Sequence, residues 1–125
     1  MLDGRNKQKI AELIKNLKRI TIEVKGRSMF PLISDGDKVE IEKTRIFPGD
    51  IILYQKNGDL ILHRYYFRIK DYAICCGDNS CRIEKIKFKD ILGKVTKVNG
   101  KVLQERFIVK VLLYIKVLLK VWIKF

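Results

Sequence analysis

The sequence predicts a mainly β fold: a coiled antiparallel sheet or partly open barrel, with an N-terminal helix and a basic amphipathic C-terminal helix. Three observations predict it. Apolar and polar residues alternate in several short runs between residues 20 and 98. Glycine- and aspartate-containing turn sequences separate those runs. The two ends of the chain follow a helical period instead. At 125 residues and 47% hydrophobic composition, the chain has one domain's length and enough apolar material for a core. It divides into an N-terminal amphipathic helix (1–19), a β-domain (20–105) and a basic amphipathic C-terminal segment (106–125).

The elements follow in order. Ile10, Leu13, Ile14 and Leu17 recur at helical spacing, which predicts a helix over Lys7 to Arg19. Ile20, Ile22 and Val24 alternate with Thr21 and Glu23, and Val39 and Ile41 with Glu40 and Glu42, each giving a short strand. Ile51 to Tyr54, Leu60 to Ile69, Tyr72 to Cys76 and Ile91 to Val98 are further strands. Asp35-Gly36-Asp37, Pro48-Gly49-Asp50, Asn57-Gly58-Asp59 and Gly77-Asp78-Asn79 supply the turns. Asn99-Gly100, between Val98 and Val102, is a two-residue hairpin signal.

The C-terminal stretch reads in two ways. Read as a helix, Arg106 and lysines 110, 116, 120 and 124 share an arc of about 120°. Read as a strand, every odd position from Phe107 to Phe125 is apolar, but that length is extreme for a strand. The helix is therefore expected. It suits an anionic membrane interface, where Tyr114 and Trp122 are at home, or alternatively the domain's own core.

Charge narrows the partners. Lysine and arginine number 27 against 14 acids, a net charge of +13, which expects an anionic neighbour. The aromatics form no recognised base-stacking motif, so nucleic acid is not expected. No apolar stretch follows a basic start, so no secretory signal is expected. No window reaches about 18 uninterrupted apolar residues, so no membrane span is expected. A peripheral membrane location, on an unspecified side, is the expectation. If the C-terminal segment is not an anchor, a cytoplasmic location is expected. Cys75, Cys76 and Cys81 lack a Cys-x-x-Cys pair, so neither a metal nor a cofactor is expected.

The segment that carries chemistry is Gly26-Arg27-Ser28-Met29-Phe30-Pro31. Gly26 would allow close backbone approach, Pro31 would hold the turn and Met29 would anchor in the core, leaving the Ser28 hydroxyl free on a fixed backbone. Serine is a weak nucleophile at neutral pH and needs a base. His63 is the chain's single histidine. Asp78, after Gly77 in a tight turn, suits either orienting a histidine or bonding its own backbone.

The order and spacing of these blocks, together with His63-Arg64 and Asp90-Ile91-Leu92-Gly93-Lys94-Val95, resemble the signal peptidase I superfamily over about residues 20 to 98. With a histidine at the base position, the chain resembles the endoplasmic-reticulum-type branch; the bacterial branch has lysine there. The resemblance implies a catalytic β-domain and a serine endopeptidase that cleaves an extended precursor or leader peptide after small residues. Ser28 would be the nucleophile, His63 the general base, and Asp78 the acid that orients or charge-stabilises it. Gly26, Met29 and Pro31 would shape the binding strip. It also implies an acyl-enzyme, an oxyanion donor at the Ser28 N–H and a substrate bound as an added strand. Asp37 and Asp50 match turn positions, with Asp37 an alternative second acid. The family's N-terminal membrane span has only an amphipathic helix in its place. A related branch, the self-cleaving repressors, has a lysine base and an N-terminal DNA-binding domain, for which residues 1–19 give no room. The alternative function is a non-catalytic basic β-domain on an anionic membrane or nucleic acid.

Overall fold

The computed structural model describes residues 4–80, 82–105 and 107–124. Helix α1 (Gly4–Asn16) leads into β1 (Arg19–Glu23), β2 (Lys38–Glu42), β3 (Ile51–Lys56), β4 (Asp59–Ile69), β5 (Tyr72–Cys76) and β6 (Ile83–Lys87). A single 3-10 turn at Phe88–Asp90 precedes β7 (Ile91–Val98) and β8 (Lys101–Val102), and helix α2 (Phe107–Lys124) follows. The fold is mainly β, as the alternation predicts. One antiparallel sheet runs in the order β1-β2-β7-β3-β4-β5-β6, with β8 paired to β7, and it does not close.

The hairpin turns are built by their sequences. Asn57 (φ 52°) with Gly58 (φ 81°), and Asn99 (φ 50°) with Gly100 (φ 81°), hold the left-handed backbone that a tight two-residue hairpin needs. Strand β7 joins the two halves of the sheet. It pairs with β2 through Val39↔Val98 and with β3 through Ile52↔Lys94, and a register shift in each ladder coils the sheet.

Two expectations shift. The first helix ends at Asn16, so Leu17 lies outside it and, with Leu13, is exposed; Ala11 joins Ile14 in the core instead. Strand β6 has no counterpart in the sequence reading. Its apolar residues Ile83 and Ile86 are three apart, only Ile86 is buried, and the strand is held by backbone pairing to β5. The C-terminal segment is helical, as its length favours over a strand.

The sheet's two faces carry separate cores. Ala11 and Ile14 of α1 pack with Met29, Ile33, Val39, Ile41, Leu60 and Leu62. Ile52, Tyr54, Tyr65, Ala73, Cys75 and Ile86 form a second cluster. A third joins Val117 of α2 to Tyr66, Ile74 and Cys76. This topology places the β1–β2 connection, strand β4 and the β5–β6 loop side by side.

Candidate active site

Ser28 sits in the β1–β2 connection, on a turn that its neighbours fix. Phe30 N–H donates to the Arg27 carbonyl (3.1 Å) and Ile33 N–H to the Met29 carbonyl (2.9 Å). Met29 is buried in the first core, the anchor its sequence position suggests; at 2% exposure it does not line the binding strip also expected of it. Phe30 and Pro31 are joined by a cis peptide bond and are exposed. Gly26 has φ +95°, a conformation that side chains disfavour, and nothing lies within 4 Å of where its Cβ would be. Its contribution is therefore backbone conformation and not the close approach expected of it. The Gly26 N–H donates to Asp35 Oδ1 (2.8 Å), closing the connection.

Close approach occurs at Gly77 instead. A Cβ there would lie 2.6 Å from the Ser28 carbonyl oxygen and 3.1 Å from both Cδ2 and Nε2 of His63. One glycine thus packs against the main chain of the serine and the ring of the histidine together. Asn79 stitches the same loop to the serine turn: its N–H donates to the Ser28 carbonyl (3.0 Å) and its Nδ2 to the Arg27 carbonyl (3.1 Å). The half-buried Ser28 hydroxyl donates to the carbonyl of Leu62, the residue before His63 (3.2 Å). Among the described residues the Ser28 N–H has no hydrogen-bond acceptor. A groove of about 290 Å³ lined by Lys25, Gly26, Arg27 and Ser28 opens beside it.

His63 is 8% exposed and faces the second cluster from the middle of β4. Its pair partner on β3 is Ile52, and Tyr54, two residues further along β3, reaches it diagonally. The Tyr54 hydroxyl lies 2.9 Å from Nδ1, with the rings edge to face. Burial holds the His63 pKa below its ordinary value; Glu84 and Asp78 oppose the shift and Lys56 adds to it. Burial also pushes the Tyr54 phenol well above its ordinary range, so it remains a hydroxyl.

Asp78 is engaged elsewhere. Its carboxylate accepts from Arg64 Nε (2.9 Å) and Nη2 (2.7 Å). Glu105 takes the guanidinium's other edge, through Nη1 (2.7 Å) and Nη2 (2.8 Å), and Nη1 also donates to the Gly49 carbonyl. Arg64 is fully buried, and both carboxylates are nearly so. Of the two roles expected of Asp78, orienting His63 or stabilising its charge, the geometry is compatible with the second alone. Tyr54 occupies Nδ1, while Asp78 is fixed by Arg64 and acts on the ring only through its charge.

Asp37 and Asp50 are turn residues, as expected. Asp37 accepts from Ser34 N–H (2.8 Å) and Asn99 Nδ2 (3.1 Å), which lowers its pKa. Asp50 accepts from Phe47 N–H (2.7 Å) and Lys94 (3.2 Å). Cys75 is a buried thiol pushed up to about 12 by burial, and so is a poor nucleophile. Cys81 lies outside the described residues, as does any pairing or metal role for it. Sequence reasoning missed Tyr54, Arg64 and Glu105. A charged residue inside the apolar run Leu60 to Phe67 was the available signal for Arg64. Nothing local pointed to Glu105, because its partner is 41 residues away.

The coiled open sheet thus brings the serine turn, strand β4 and the β5–β6 loop together. A family model described as Peptidase S24-like matches residues 6–102. The chain belongs to that family, which includes self-cleaving repressors, within a superfamily shared with the signal peptidases, and at this level it is a peptidase. No curated protein matches it.

Proposed function

We propose that the protein is a serine endopeptidase of the signal-peptidase type, in its Ser/His branch, cleaving an extended precursor or leader peptide after small residues. The observation that carries this reading is the packing of the Ser28 main chain and His63 Nε2 on the one Gly77. In the lysine-dependent branches, self-cleaving repressors included, lysine fills the place where this chain has His63.

Ser28 Oγ attacks the scissile carbonyl while His63 Nε2 takes its proton. The Ser28 N–H donates to the developing oxyanion. The protonated His63 then gives its proton to the leaving amine. Water, deprotonated in turn by Nε2, releases the acyl group and regenerates Ser28. The substrate lies extended along the groove at Lys25 to Ser28. Moving Oγ from the Leu62 carbonyl to Nε2 needs a change in the serine side-chain torsion.

A quenched-fluorescent peptide library with alanine, glycine or serine before the scissile bond tests the reading. Wild type is expected to cleave after these small residues, and Ser28→Ala and His63→Gln to lose the activity while keeping the wild-type circular dichroism. Full activity in either variant removes the assigned nucleophile or base.

A further inference from the structure

Helix α2 is apolar on two sides, and the fold covers one. Leu113, Tyr114, Val117 and Val121 pack on Tyr66, Ile74 and Cys76, with Val117 1% exposed. On the opposite side Leu112, Ile115, Leu119, Trp122 and Ile123 are exposed, Trp122 at 81%. At 100° per residue these five share an arc of about 100°. Lys116 and Lys120 border it, and the helix contains no acidic residue. No helix among the described residues is long and apolar enough to cross a membrane.

We propose that the outer face of α2 lies in the plane of an anionic lipid surface, holding the domain there. An interfacial helix needs one apolar face in the acyl boundary, cationic residues at headgroup level, and favours tryptophan at that depth. Leu112 to Ile123, Lys116 with Lys120, and Trp122 supply these in turn. Charge decides the occupant. The chain carries +13, so an anionic bilayer attracts it, whereas a second copy brings another +13 against it. The covered side of α2 keeps its seam on Cys76, next to Gly77, so the site stays fixed to the helix that meets the lipid. This inference is independent of the catalytic reading.

The chain has a single tryptophan, so the outer face carries its own probe. The full chain is mixed with vesicles of phosphatidylcholine alone, or equimolar phosphatidylcholine and phosphatidylglycerol. Anionic vesicles are expected to blue-shift the Trp122 emission, shield it from iodide and co-sediment the protein. Lys116→Gln with Lys120→Gln is expected to weaken partitioning about 30-fold, as for two lysines at about 1 kcal/mol each. Ile115→Glu with Leu119→Glu, both at exposed positions, is expected to abolish it with an unchanged melting curve. Unchanged Trp122 emission with both vesicle types overturns the proposal, as does equal binding to both. So does Trp122 shielded without lipid in a sedimenting dimer, which would give the face to a second copy.

Discussion

The Tyr54 hydroxyl meets His63 at Nδ1, 2.9 Å away, while Nε2 is the nitrogen that faces Gly77. This fixes which protonation states are productive. For Nε2 to accept the serine proton, neutral His63 must carry its hydrogen on Nδ1 and donate it to the Tyr54 oxygen. After proton transfer both nitrogens carry hydrogens, and Nδ1 keeps the same acceptor. With Tyr54 as donor, the hydrogen of neutral His63 sits on Nε2 and the base is blocked.

Tyr54→Phe therefore removes the acceptor that favours the productive tautomer. We expect a loss of about 10- to 100-fold in kcat/KM, the range for an unsatisfied buried donor. The acid limb of the pH–rate profile should also move to lower pH, because the imidazolium loses a charge-assisted bond. Wild-type activity with an unmoved acid limb would show that Tyr54 only fills space.

The acid limb itself follows from burial. The His63 pKa is lowered from 6.5, so the neutral base persists below that pH, and the midpoint for kcat/KM is expected below 6.5. Stability takes the same sign. The folded state disfavours the charged ring, so the unfolded chain binds the proton more readily. The His63 contribution to stability is present above pH 6.5 and lost as pH falls from there toward the folded pKa. Urea melts of wild type and His63→Gln over that window should converge on acidification.

Much of the fold was legible because its signals are local. The alternation of Ile20 to Val24 and Val39 to Glu42, the apolar runs Ile51 to Tyr54 and Tyr72 to Cys76, and the Asn-Gly turns are set by neighbours in the chain. Strand β6 was not, because its pairing to β5 is a backbone matter and Ile83-Glu84-Lys85-Ile86 does not alternate. In the site, Ser28 and His63 could be read from residue chemistry and from the resemblance. The pairing of Asp78 with Arg64 was not legible, because Arg64 answers to Glu105 as well and only the folded sheet brings those three together.

Arg64 makes a second prediction about Asp78. A fully buried guanidinium held by two carboxylates is destabilised by the loss of either. Asp78→Ala should cost about 3–5 kcal/mol in urea melts, and Glu105→Ala a similar amount. Both should reduce activity through the β5–β6 loop and β4. The two are distinguishable by pH: Asp78 raises the His63 pKa through its charge, so Asp78→Asn should also shift the acid limb downward. Glu105 is not among the groups that move His63, and Glu105→Gln should leave the limb where it is.

Gly77 gives the most direct test of the site's geometry, since it adds one methyl and removes nothing. A Cβ at 2.6 Å from the Ser28 carbonyl oxygen cannot be absorbed by a side-chain rotation, because the obstacle is backbone. The β5–β6 loop or the serine turn must move, and the Asn79 bonds to Arg27 and Ser28 couple the two. Gly77→Ala should therefore destabilise by about 1–3 kcal/mol, as overpacking does. It should also lower kcat/KM by about 100-fold, since a shift of about 1 Å between nucleophile and base has that effect. Gly26→Ala provides the contrast. There the cost is backbone strain at φ +95° with open space around the methyl, so stability should fall without a steric push on His63. Equal activity losses in the two variants at matched stability would mean that the Gly77 contact does not set the serine–histidine geometry.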